Sequence, residues 1–308
     1  MCEIGFGYAA ASRAGTARPP PALFMTDLLA ALLLGIIEGI TEFLPISSTG
    51  HLLIAERWLG HRSDLFNVAI QAGAILAVVL IYWKRLWGML VAFVGRDAPA
   101  EFDPLGVSTP PAQSRDYAYK LAAAFAVTAV GGLSVKKLGW MLPDTVQPIA
   151  WALVLGGVWM VLAEQLAARR AAREGELTGI AWRTALLVGL AQVVAGVFPG
   201  TSRSAATIFV ALLAGTTSRA AATEFAFLVG IPTMFAATGY ELLATWRDGG
   251  MAGEDWNALG VAFLASAVTA FVAVKWLLRF IEGHRFTAFA AYRVLLGVAL
   301  LLWLPAGQ

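Results

Sequence analysis

Two short polar runs sit at corresponding places in otherwise apolar text, and they constrain the fold more than any other feature. The first is Gly35-Ile36-Ile37-Glu38-Gly39-Ile40-Thr41-Glu42-Phe43-Leu44-Pro45-Ile46-Ser47-Ser48-Thr49-Gly50-His51. The second is Gly189-Leu190-Ala191-Gln192-Val193-Val194-Ala195-Gly196-Val197-Phe198-Pro199-Gly200-Thr201-Ser202-Arg203-Ser204. At a constant offset of 154 residues Gly35 meets Gly189, Glu38 meets Gln192, Pro45 meets Pro199 and Ser48 meets Ser202. Each run reads as a short apolar helix, a Pro/Gly/Ser/Thr break and a second short helix, at about 51–59 and 204–215. Irregular backbone at membrane depth is tolerated only where protein or a wet cavity surrounds it. A pair of interrupted segments in two halves is the sequence sign of an inverted-repeat membrane fold.

That reading requires a membrane, and composition supplies it. The chain has 308 residues, 59% hydrophobic and 14% charged, with mean hydropathy +0.72. Soluble domains carry about 25% charged residues. The chain therefore reads as an all-α polytopic membrane protein. Net charge is only +2, with no basic block suited to nucleic acid. Cys2 is the single cysteine, so no disulfide forms within one chain, and His51, His61 and His284 are too dispersed for a zinc cluster.

Residues 1–25 differ in character, with Arg13, Arg18 and Pro19 to Pro21 among small residues. They lack a signal-peptide h-region and read as a disordered tail or a mis-assigned start before Met25. Residues 26–308 read as one membrane domain. Full spans fall at about 65–82, 117–135, 148–165, 223–245, 258–278 and 287–304. With re-entrant hairpins at the two breaks, the chain becomes two halves, about 28–165 and 180–304. Each half is one re-entrant hairpin plus three spans. Three spans between the hairpins place their mouths on opposite faces. Basic residues such as Lys84, Arg115, Arg169, Arg170, Arg173 and Arg219 gather on one side. The positive-inside rule puts that side in the cytoplasm and opens the first hairpin outward.

Charged groups at membrane depth cost roughly 2.5–3.5 kcal/mol each on insertion scales, so they read as functional by default. Glu38 and Glu42, spaced i, i+4, share one helix face. Pro45 ends that helix, Ser47, Ser48 and Thr49 supply hydroxyls, Gly50 permits tight backbone, and His51 follows. Singly, each serine reads as a helix cap. Together they read as a nucleophile with acid/base partners. In the second run Thr201, Ser202 and Ser204 surround Arg203 at a helix start, an arrangement suited to phosphate. Gln71 and Gln192 line the cavity or join helices. Glu38 and Glu42 are candidate ligands for a divalent cation, Mg²⁺ or Ca²⁺. No organic cofactor is expected.

On these two runs the sequence resembles the bacterial undecaprenyl-diphosphatase, or bacitracin-resistance, family. Supporting likeness runs through Ile70-Gln71-Ala72-Gly73, Glu224-Phe225-Ala226-Phe227-Leu228 and Phe289-Ala290-Ala291-Tyr292-Arg293, over about residues 26–304. One departure is Ala205, where the family usually has glycine. The resemblance implies hydrolysis of undecaprenyl diphosphate to undecaprenyl phosphate and phosphate. This would recycle the carrier for peptidoglycan synthesis at the outer face of the bacterial cytoplasmic membrane. It implies Ser48 as nucleophile, Glu42 and His51 as acid/base partners and Arg203 as phosphate clamp. Glu38, Ser47, Thr49, Ser202 and Ser204 would support them. The competing reading is a polyprenyl-phosphate transporter or flippase, because inverted repeats also build carriers. The expected partners are the polyprenyl diphosphate and membrane lipids.

Overall fold

The computed structural model describes residues 21–94, 111–139 and 146–303. Residues 1–20 of the expected tail lie outside these. The described residues form α-helices in the order α1 (Pro21–Thr41), α2 (Ser48–Leu59), α3 (Asp64–Phe93), α4 (Pro111–Lys137) and α5 (Val146–Glu174). They continue with α6 (Trp182–Val197), α7 (Arg203–Ala214), α8 (Arg219–Arg247), α9 (Trp256–Gly283) and α10 (Thr287–Trp303). A single 3-10 turn follows α8 at Gly250–Gly253. The protein is all-helical among the described residues.

Five helices, α3, α4, α5, α8 and α9, are long and apolar enough to cross a bilayer. The sixth expected span, α10, has 17 described residues, a little short of the roughly 20 that a full crossing takes. The expected limits need correction at several ends. α1 is already helical at Pro21, where the fixed φ of proline suits a first turn. The segment expected at 65–82 runs on to Phe93 and the one at 148–165 to Glu174. Polar residues past the apolar window cost nothing once the helix leaves the bilayer, so hydropathy marks the span and not the helix. Sharp starts carry caps: Ser63 accepts from the Phe66 amide at 3.0 Å, and Asp255 from Asn257 and Ala258.

The helices pair in a repeating scheme. α1 packs on α9, and α6 packs on α4. α3 packs on α9, and α8 on α4. α3 also meets α8, and α5 meets α10. Lipid tails are as apolar as leucine, so association here depends on close packing and small residues rather than on expulsion of water. Gly35 of α1 lies against the Ala262 carbonyl of α9, leaving no room for a Cβ. Gly189 of α6 lies in the same way against the Ala124 carbonyl of α4. The two glycines matched in the sequence thus do the same work in each half. Large apolar side chains meanwhile face outward at mid-helix, among them Leu264 (64% exposed) and Leu295 (71%). That pattern suits lipid and not water.

Candidate active site

The two breaks meet. Residues 42–46 leave α1 as turns and lead into α2, while residues 198–202 join α6 to α7. Ser204 Oγ donates to the Leu44 carbonyl at 3.0 Å, tying the second break to the first.

Both short helices begin alike. Ser47 caps α2 and Ser202 caps α7, each with positive φ (74° and 67°), and they are the only non-glycine residues of that kind among the described ones. Such backbone costs of order 1–3 kcal/mol and is characteristic of functional sites. Each cap hydroxyl accepts from the amide three residues on, Gly50 N at 3.4 Å and Ala205 N at 3.3 Å. This corrects the sequence register at its end. Ser47, not Ser48, is the structural counterpart of Ser202, and Ser48 and Arg203 each open a helix. Between proline and cap the second break holds one residue more, two against one. Its Gly200 has φ 90°, and a Cβ there would meet the Ile149 backbone at 2.8 Å, so only glycine fits. Gly50, expected to permit a tight approach, sits in an ordinary helical turn where a Cβ would meet nothing closer than 3.5 Å. Ala205 is buried in the first turn of α7 and keeps its amide bonded to the cap. The methyl group does not disturb the start of the helix.

The expected reactive groups converge on Glu42. Ser48 Oγ donates to Glu42 Oε2, and Arg203 Nη2 donates to Glu42 Oε1. One carboxylate thus bridges the candidate nucleophile and the candidate clamp, and the bridge joins the two halves of the chain. Arg203 also contacts Met234 Sδ at 2.6 Å. A small recess beside this group is lined by Glu42, Phe43, Arg203, Ser204, Thr207, Ala226, Phe227 and Gly230.

Glu38 lies one turn behind Glu42 and is fully buried, with neither carboxylate oxygen bonded. An orphaned buried carboxylate is expensive. It calls for a proton or a cation, so the pair Glu38 and Glu42 fits the donor chemistry of a divalent ion. Among the described residues no three acidic, histidine or cysteine side chains converge on a common point. Phosphate and water oxygens would have to complete the shell of such an ion, as is common for Mg²⁺.

Other expected residues are less central. His51 does not reach Ser48. Its Nδ1 lies 2.7 Å from the Ser47 carbonyl and its Nε2 2.7 Å from the Tyr292 hydroxyl, whose ring stacks alongside. A carbonyl only accepts, so Nδ1 carries the proton in this arrangement. Thr49 is exposed at the start of α2. Thr201 contributes its carbonyl, to Arg293, and Gln71 makes no bond to the cluster. Gln192 donates to Thr128 at 3.1 Å and serves the α4–α6 contact instead.

Two residues of α10, quoted above only as part of the likeness, were not among the expected site residues. Tyr292 holds His51, and Arg293 reaches the carbonyls of both breaks. The signal for Arg293 was present: an arginine midway along an apolar helix carries the same insertion cost that singled out Glu38.

The model of the bacitracin resistance protein BacA family matches residues 31–299. The chain belongs to that family. Curated relatives agree. The undecaprenyl-diphosphatase of Rhizobium etli (strain CIAT 652) is 63% identical over 275 residues, 89% of this chain and 96% of the relative. That of Xanthomonas oryzae pv. oryzae (strain PXO99A) is 57% identical over 282 residues, 92% of this chain and 99% of the relative. At this identity and coverage the family assignment spans all ten helices and both breaks.

Proposed function

We infer that this protein is an undecaprenyl-diphosphatase, a membrane-embedded phosphatase that hydrolyses undecaprenyl diphosphate and so recycles the lipid carrier of cell-wall precursors. The observation that carries the reading is Glu42 in simultaneous contact with Ser48 and Arg203. A carrier needs a binding site for its cargo, but it does not need a base already bonded to a hydroxyl that faces a cation. Identity of 57–63% over 96–99% of the length of relatives of that name supports the choice over a transporter.

The diphosphate enters from the membrane with its polyprenyl tail left among lipids. Arg203 exchanges its Glu42 contact for two phosphate oxygens, which its planar fork suits. Amides at the starts of α2 and α7 add donors where negative charge builds. Glu42, freed of its cation, takes the Ser48 proton as Ser48 Oγ attacks the terminal phosphorus. The bond from that phosphorus to the bridging oxygen breaks, and undecaprenyl phosphate leaves. Water then attacks the phosphoserine, releasing phosphate and returning the proton to Ser48. His51 orients the first turn of α2 through the Ser47 carbonyl. A divalent cation held by Glu38 and by the Glu42 oxygen that Arg203 vacates would neutralise phosphate charge, with the other Glu42 oxygen left to Ser48. Purified protein supplied with a polyprenyl diphosphate should release phosphate, and Ser48→Ala should not. Binding and transbilayer movement of the lipid without phosphate release would overturn the enzyme reading.

The site belongs to a bacterial cytoplasmic membrane and opens to its outer face, on the strength of the loop-charge asymmetry. In a Cys2→Ser background, Thr49→Cys is expected to react with a membrane-impermeant thiol reagent added to intact cells. Ala172→Cys, near the basic end of α5, is expected to stay unlabelled until the cells are opened. Polyprenyl diphosphate should protect the first cysteine. The reverse pattern would invert the orientation.

A further inference from the structure

We propose that Arg293 is a positioning residue that clamps the two breaks together and fixes the spacing between Ser48 and Arg203. The inference rests on the phosphatase reading above. Arg293 is fully buried in α10, and no carboxylate pairs with it among the described residues. Its guanidinium is spent on backbone carbonyls. Nη1 donates to Thr201 O at 3.0 Å and to Pro45 O at 3.4 Å, and Nη2 to Gly200 O at 3.0 Å and to Ala152 O at 3.1 Å. One planar group thus joins the first break, the second break and α5. Only a guanidinium offers so many donors in fixed directions, whereas an ammonium is a compact point with three.

The surroundings are shaped for it. At Gly156 of α5, a Cβ would collide with Arg293 Nη2 and lie 2.9 Å from its Cζ. The neighbouring Tyr292 braces the first turn of α2 through His51, so consecutive residues of α10 support both the break and the helix that follows it.

A separate clamp is needed because of how the site works. Of the other side-chain contacts between the breaks, Arg203 to Glu42 must open when Arg203 takes phosphate, which leaves the single bond from Ser204 Oγ to the Leu44 carbonyl. Arg293 has no exposed atom to offer a substrate and bonds only main-chain oxygens at the breaks. Its contacts therefore persist while the reacting side chains change partners. Misplacing reacting groups by about 1 Å can cost on the order of 100-fold in rate.

The test uses purified full-length protein and phosphate release from a polyprenyl diphosphate. Arg293→Met and Arg293→Lys are expected to lower kcat by about 100-fold and about 10-fold, with KM little changed and melting of Arg293→Lys close to wild type. Gly156→Ala, which displaces the guanidinium and leaves it charged, should reproduce the kcat defect and add little to Arg293→Met. A geometric readout stands apart from activity. In a Cys2→Ser background, an Ile46→Cys/Thr201→Cys pair should cross-link with a short bifunctional thiol reagent, less so when Arg293→Met is added. Wild-type kcat in folded Arg293→Met or folded Gly156→Ala, or an unchanged cross-linking yield, would overturn the clamp. Should wild-type protein release no phosphate, the phosphatase reading fails and the cross-linking result alone decides the clamp.

Discussion

Glu42→Gln is expected to lower kcat for polyprenyl diphosphate hydrolysis about 1,000-fold, within the range for loss of a positioned acid/base group. The substitution keeps size, but its single carbonyl oxygen can accept from only one of the two donors, and the base is gone. Glu42 receives the Ser48 hydroxyl on one oxygen and Arg203 on the other, so the amide leaves Ser48 with no group to take its proton. Glu224→Gln is the informative control. Glu224 is also a buried acid, paired with Arg85 at 3.3 Å at the start of α8. Breaking a buried pair costs roughly 3–5 kcal/mol, so this variant should melt earlier while its folded fraction keeps wild-type kcat. Phosphate-release kinetics with thermal melting of both variants checks the contrast. Equal kcat losses per folded molecule would show that Glu42 is no more catalytic than any buried membrane carboxylate.

Arg203→Lys should be nearly as damaging, lowering kcat/KM by about 100- to 1,000-fold although the charge is kept. The guanidinium must reach across from α7 to Glu42 and, in the reaction, grip two phosphate oxygens at once. An ammonium on a shorter stem offers one point of contact. The loss should appear in KM as well as kcat, because the same fork binds the ground-state diphosphate. Steady-state kinetics over a substrate series checks this, and near-native turnover in folded protein would remove Arg203 from the clamp role.

Much of the site was legible because its residues are misplaced by the standards of a membrane chain. Glu38, Glu42, Ser48 and Arg203 interrupt hydrocarbon, and each interruption must be compensated in the fold. His51 was legible as a member of the first polar run, but its partners were not. Sequence proximity put it beside Ser48, whereas helix geometry turns its ring to the Ser47 carbonyl and to Tyr292 from a distant helix. The match between the two polar runs was equally legible up to Pro45 and Pro199. Beyond the prolines an added residue shifts the register, and only the matching caps at Ser47 and Ser202 reveal it. A constant offset tracks regular helices, where each residue adds a fixed rise and turn, and fails in a break, where no such rule holds.

The membrane class, the helical spans, the two breaks and the chemical types gathered at them can be read from the residues in order. These follow from local cost: each polar group in an apolar segment is expensive wherever the rest of the chain lies. That Glu42 bridges Ser48 and Arg203, that Gln192 serves a helix contact and that Arg293 spans both breaks emerges only from the packed helices. These are pairings between residues far apart in the chain. They depend on how α1, α7 and α10 pack, and packing distances are absent from the order of residues along one strand of text.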